Sequence, residues 1–165
     1  MDEKPVIKLK LTQTDKILEV ISSIALIAFW LMAILSYSKL PDLIPIHYNG
    51  LGEVDNYAGK KSIFLLPIIG TLIFLILTFV VKYPETLNYP TKITVENAER
   101  QYANSTRRIR FLKLLIILVF LLIDFKTIQT ALGISEGLGI WFLPLILGLI
   151  FIPMGYYSYK SYKLK

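Results

Sequence analysis

The chain has no cysteine and a single histidine, and its 12 acidic residues face 18 basic ones over 165 positions. Without a thiol there is no disulfide, no Cys-ligated metal, no thiol nucleophile and no acceptor for a prenyl or palmitoyl group. No HExxH, GxSxG, P-loop or dinucleotide fingerprint stands in a suitable setting. Gly50-Leu51-Gly52 has neither the third glycine nor the strand–helix context of a nucleotide loop. Polar residues in general are scarce. Apolar residues make up 55% of the chain and the mean hydropathy is +0.58, above the roughly 45–50% apolar content of water-soluble domains.

Four stretches are long enough to cross a hydrocarbon core of about 30 Å, which takes roughly 20 helical residues. They lie near residues 17–38, 62–81, 111–131 and 140–159. The first reads as a membrane helix, since its apolar run exceeds a signal-peptide core and no Ala-x-Ala-like site follows. The expected fold is an all-α membrane protein, a single domain over residues 1–165 built as a four-helix bundle. A structured outer loop (39–61) joins the first two helices, and a cytoplasmic helix (95–110) runs into the third. The +6 net charge does not point to nucleic acid, because the cations flank the apolar segments. Lys4, Lys8, Lys10 and Lys16 precede the first; Lys82, Lys92, Arg100, Arg107, Arg108, Arg110 and Lys113 lie between the second and third; Lys160, Lys163 and Lys165 follow the fourth. Positive-inside bias then places both termini and the middle connector in the cytoplasm, with the first connector outside a bacterial inner membrane. The arginines read as snorkelling topology anchors beside anionic lipid.

Residues 1–16 read as an interfacial or frayed lead-in, with Thr14 or Asp15 capping the first helix. In the outer connector Ile44, Ile46 and Tyr48 alternate with Pro45, His47 and Asn49, so one set faces the helix ends. Asn49-Gly50 and Gly52 favour a reversal with positive φ. Residues 54–57 would return alongside as a hairpin, bringing His47 near Asp55. Pro67, read as lying inside the second helix, should kink it. Thr94 is a plausible N-cap for a helix carrying Ala98, Tyr102, Thr106, Ile109 and Leu112 on one face.

Polar groups inside the third span stand out. A charge near the bilayer centre costs about 2.5–3.5 kcal/mol on insertion scales and therefore faces protein or water. Asp124 falls in the outer third, with Lys126 and Gln129 higher still. Two residues apart, Asp124 and Lys126 point to different sides, so Lys126 reads as a snorkelling residue and Asp124 as either an interhelical hydrogen bond or one wall of a polar pocket beneath the loop. His47, Asp55 and Asp124 together would supply one imidazole and two carboxylates, a donor set that zinc accepts with an open fourth position, although their spacing matches no compact metal motif. No cofactor is expected.

The pattern Leu40-Pro41, Ile44-Pro45, His47-Tyr48-Asn49, Gly52, Asp55 and Lys60 resembles the small membrane domain that opens SdpI-type immunity proteins. It also resembles a group of free-standing, uncharacterised bacterial membrane proteins built on that domain, as do residues 88–102 and 137–144. The resemblance covers about half the chain. It implies a multipass membrane protein, self-protection against a secreted membrane-active peptide and, in some members, capture of a membrane-bound regulator. Few residues follow the fourth span, so the larger C-terminal membrane domain of that family is not expected. The leading expectation is a non-enzymatic protein of the bilayer whose loop, through Pro45, His47, Asn49, Gly52, Asp55 and Lys60, recognises a peptide or lipid-like ligand. A proton- or ion-coupled transport module using Asp124 and a metal-dependent membrane enzyme are the alternatives.

Overall fold

The computed structural model describes residues 4–164, and residues 1–3 of the expected lead-in lie outside this range. Among the described residues there are four α-helices, α1 (Gln13–Tyr37), α2 (Leu65–Val80), α3 (Ala98–Ala131) and α4 (Phe142–Lys163), and one antiparallel pair of strands, β1 (Leu43–Tyr48) and β2 (Val54–Gly59). Three helical spans, Gln13–Tyr37, Lys60–Val80 and Phe142–Lys163, are long and apolar enough to cross a membrane. Large apolar side chains stay exposed along all three, among them Ile24, Leu35, Leu72, Ile76, Phe151 and Ile152. Lipid can surround such surfaces without the hydrophobic penalty that water would impose. α3 is the central element: it packs against α1, α2 and α4, and its apolar part is interrupted by Lys113, Asp124 and Lys126.

Small residues let the helices approach. Ser22, Ala25, Phe29 and Ala33 form the buried stripe of α1. On α2, Gly70 packs so closely that an added Cβ would lie 3.4 Å from Ile117 and 3.6 Å from Phe29. Small side chains at such crossings bring backbones together where dispersion replaces the hydrophobic effect as the driving force. At the hairpin end, Ala33, Leu40, Ile44, Ile63 and Ile128 join in one buried cluster.

Several boundaries differ from the sequence reading. α1 starts earlier, because Thr12, rather than Thr14 or Asp15, is its N-cap. The Asp15 amide donates to Thr12 Oγ1 (3.3 Å) and the Thr12 amide to Asp15 Oδ2 (2.9 Å), a reciprocal capping box. Residues Lys60–Phe64 form a separate 3-10 turn, so Pro67 falls in the first turn of α2. An amide hydrogen there has no intrahelical acceptor to lose, and Pro67 needs no kink. α3 starts at Ala98 rather than 95, because the Asn97 side chain takes the Thr94 amide into a local turn (2.9 Å). α4 begins two residues late and extends to Lys163.

The lead-in is docked rather than frayed over its described part. Ile7 and Leu9 pack on Ile93, Ala98 and Tyr102, and the Tyr102 hydroxyl donates to the Pro5 carbonyl (3.0 Å). Tyr89 packs beside them with its hydroxyl on the Pro84 carbonyl (2.8 Å), and burial pushes its pKa up to about 12.

The arginine-bearing face is the largest departure. Arg100 is exposed, but Arg110 and Lys113 are buried. Arg110 Nε donates to Glu19 Oε1 (3.0 Å), Lys113 Nζ donates to the other oxygen of Glu19 and to Thr78 Oγ1 (2.9 Å), and Arg107 Nε donates to Asp15 Oδ1 (2.9 Å). These cations are held by carboxylates of α1 instead of reaching for lipid headgroups. Asp15 and Glu19 lie four apart, on the α1 face that meets α3, and so offer two successive anions to it.

Candidate functional site

The hairpin between α1 and α2 is fastened on three sides. At its base, the Lys60 amide donates to the Asp42 carbonyl (2.9 Å), while Lys60 Nζ pairs with the Asp42 carboxylate (3.2 Å) and lies over the Tyr37 ring. At its side, the Tyr48 hydroxyl shares a hydrogen bond with Thr127 Oγ1 of α3 (2.8 Å), and burial raises the Tyr48 pKa from its usual value. At its tip, the Gly52 carbonyl accepts the Leu138 amide (2.8 Å) and more weakly the Gly139 amide (3.4 Å), so the turn is clipped to the α3–α4 connector.

The turn is built by Asn49. Its side-chain oxygen accepts the amides of Leu51 (2.9 Å) and Glu53 (3.1 Å), and its amide nitrogen donates to Glu53 Oε2 (2.9 Å). Of the two turn glycines, only Gly52 has positive φ, +79°; with Asn49 closing the turn, Gly50 does not need it. The simple alternation also breaks. Strand register shifts between Pro45 and His47 and again between His47 and Tyr48. Such bulges re-aim side chains: Pro45, expected outward, is buried beside Ile44, while Ile46, expected inward, is exposed.

His47 and Asp55 meet on the free face of the hairpin, Nδ1 to Oδ1 at 2.6 Å, with the histidine side chain 67% exposed. Asp124 does not join them. Among the described residues no group of three His, Asp or Glu side chains is placed to hold a metal ion, so the zinc-type reading of His47, Asp55 and Asp124 is set aside. The chain folds its first carboxylate partner, Asp55, onto the outer side of the sheet, whereas Asp124 belongs to the packed face of α3.

Beneath the hairpin is a cavity of about 290 Å³, bordered by β1, the start of α2, and α3. His47 and Asp124 both reach it. Asp124 is only 3% exposed, and its Oδ2 has no hydrogen-bond partner among the described residues. Lys126 turns away, towards a wider depression of about 490 Å³ that it shares with Glu53 and Glu136. Gln129 is half-buried and contributes its backbone carbonyl to the Ile134 amide (2.8 Å).

At the opposite end, sequence reasoning missed two buried amides. Gln101 Nε2 donates to the carbonyls of Ser161 (2.9 Å) and Leu164 (3.1 Å) and to Thr91 Oγ1 (3.0 Å), while its Oε1 accepts the Ser161 hydroxyl (2.6 Å). Asn104 donates to the Tyr157 carbonyl (3.1 Å). Gln101 thus satisfies carbonyls at the end of α4 that a helix leaves open, and Asn104 adds a second donor to a carbonyl one turn earlier. Their spacing, three apart on either side of buried Tyr102, was the available signal.

Residues 24–71 match the model of a family described as a domain of unknown function, DUF1648. That window takes in most of α1, the whole hairpin and the first turns of α2, but none of α3. An uncharacterised protein of Archaeoglobus fulgidus is 33% identical over 88 residues, which is 48% of this chain and 48% of that protein. The chain thus spans about half the length of the curated relative it matches. No solved structure matches. The chain carries a DUF1648 domain over residues 24–71 and has a distant archaeal homologue.

Proposed function

We propose that this is a non-enzymatic, SdpI-like integral membrane protein of the bacterial inner membrane, with the apolar part of α3 as a fourth span. Both termini and the arginine-bearing connector lie in the cytoplasm, and the outer hairpin recognises a peptide or lipid-like ligand in an immunity or envelope-stress role. One observation carries the reading. The hairpin is anchored at base, side and tip, yet Leu43, Ile46, Leu51 and Tyr57 remain 45–62% exposed on it, beside the His47–Asp55 pair. A surface already ordered before its ligand arrives loses little conformational entropy on binding, and apolar groups at a membrane surface suit an amphipathic partner. Cells lacking the chain should become sensitive to an envelope-active peptide, and His47→Ala or Asp55→Ala should reproduce the loss. Unchanged sensitivity across a broad peptide panel would count against the proposal.

The unpartnered oxygen of Asp124 favours a second reading, a small proton- or ion-coupled transport module. Ionisable groups held inside a membrane protein commonly mark ion paths. Reconstituted protein should then show pH-dependent flux that Asp124→Asn abolishes, and vesicles impermeable to every ion tried would remove this alternative.

A further inference from the structure

We propose that the cavity under the hairpin binds a primary ammonium group, with the Asp124 carboxylate as its counter-ion and the hydroxyls of Tyr48 and Thr127 beside it. The inference goes beyond the recognition surface proposed above and gives the cavity beneath it an occupant of stated chemistry.

Buried polar atoms in folded proteins almost always have a partner. Among the described residues Asp124 Oδ2 is one of three exceptions and the only carboxylate among them, and the cations of the hairpin base and of the buried face of α3 point elsewhere. Lys60 is on Asp42, Arg110 and Lys113 are on Glu19, and Lys126 borders a different depression. His47 reaches the cavity but engages Asp55 through Nδ1. A cation beside the buried carboxyl favours its charged form, and in that form it accepts hydrogen bonds and cannot donate them, so the complementary group is a donor, and a positive one gains most. Thr127 lies three residues from Asp124, on the same face of α3. Its hydroxyl and that of Tyr48 bond each other (2.8 Å) and keep lone pairs free for a second N–H. An ammonium has three N–H groups to distribute over such a set. The remaining walls include Ile44, Ile63, Leu66 and Leu138, which suit an alkyl stem. A bare metal ion would find too few anionic donors here.

Purified protein in a non-ionic detergent is titrated with n-pentylammonium, 1-pentanol, lysophosphatidylethanolamine and lysophosphatidylcholine, with thermal unfolding followed by tryptophan fluorescence. Pentylammonium should raise Tm in a saturable way where 1-pentanol does not, and Asp124→Asn should erase the shift. Thr127→Val and Tyr48→Phe, which leave the carboxylate in place, should each weaken the apparent affinity about tenfold. They decide the matter should the Asp124 variant fail to fold. A response to lysophosphatidylethanolamine alone assigns the ammonium to a lipid headgroup; a response to pentylammonium assigns it to a free amine. Equal effects of the neutral or quaternary controls, indifference to both amines, or an undiminished shift in the variants overturns the proposal. Unaltered peptide sensitivity of cells lacking the chain would remove the proposed immunity role and leave this site standing. Indifference to both amines would remove the site and leave the outer face of the hairpin as the recognition surface.

Discussion

Gly52→Ala tests the docking of the hairpin against the α3–α4 connector. Gly52 sits at φ +79°, where a side chain costs about 1–3 kcal/mol. Its added Cβ would lie 2.6 Å from the backbone nitrogen and oxygen of Gly139. Backbone cannot swing aside as a flexible side chain can, so the two loops must separate. Separation gives up the bonds from the Leu138 and Gly139 amides to the Gly52 carbonyl, each worth about 0.5–1.5 kcal/mol net. Taking the lower parts of these ranges, the clip weakens by about 2–4 kcal/mol, or roughly thirty- to a thousand-fold in the opening equilibrium at about 1.4 kcal/mol per decade. Hydrogen exchange at the Leu138 amide reads that equilibrium directly, and should accelerate accordingly while amides in the middle of α3 keep their protection. Gly50→Ala is the control. Nothing lies within 4 Å of its would-be Cβ and its φ is not positive, so exchange at Leu138 should not change. Slow exchange retained in Gly52→Ala, or equal acceleration in both variants, would refute the reasoning.

Glu19→Gln should be the most destabilising single change at the charged end. It strands the buried Arg110 and Lys113 without a counter-ion, at about 3–5 kcal/mol for a broken buried pair, and Lys113→Met should cost less because Arg110 still neutralises Glu19; detergent-phase unfolding midpoints rank the two. The Tyr89 pKa of about 12 exceeds the usual value of about 10 for an unfolded chain, so the neutral phenol is the form the packed state prefers. Docking of residues 84–97 should hold in full below pH 10 and weaken as pH climbs from about 10 through about 12, and Tyr89→Phe should flatten that slope in a proteolysis assay. Because the chain has no cysteine, single-cysteine labelling is clean: Asn49→Cys should react with an impermeant maleimide on intact cells and Glu96→Cys only after lysis, and the reverse order would invert the proposed topology.

The parts of the fold legible in the sequence are those governed by long patterns. Apolar run length located the helices, and prolines and turn chemistry marked the strand-bearing connector. The errors of two to three residues at Thr12 and Asn97 arose because several Ser, Thr, Asp and Asn residues near each start can cap, and only packing chooses among them. The inward turn of Pro45 and outward turn of Ile46 depend on bulges, which no alternation rule contains. Gly50 and Gly52 look equivalent in sequence, yet only one carries the positive φ. The arginine face misled for a different reason. Lys and Arg beside an apolar span do read as anchors, but the reading left out Asp15 and Glu19, spaced to face them from α1. Asp124 was visible as an intramembrane charge, whereas its lack of a partner is a tertiary property set by the directions Lys60 and Lys126 take.

α3 therefore treats its charges in two opposite ways. Near its start, Arg107, Arg110 and Lys113 meet Asp15 and Glu19 within hydrogen-bond distance, and each buried cation has its anion. Such a network costs desolvation, and its return is register, since sliding α3 by one turn against α1 would leave charges unpaired. Near its end, Asp124 is buried as deeply, but neither the hairpin nor α2 brings it a cation. Stability alone would favour an apolar residue at that position, because an orphaned carboxylate opposes folding. The helix that gives each buried cation an anion at one end leaves a carboxylate oxygen unpaired at the other, under a hairpin whose three fastenings keep the cavity from collapsing onto it. That contrast within a single helix separates a structural polar network from a binding group more sharply than the identity of either set of residues does.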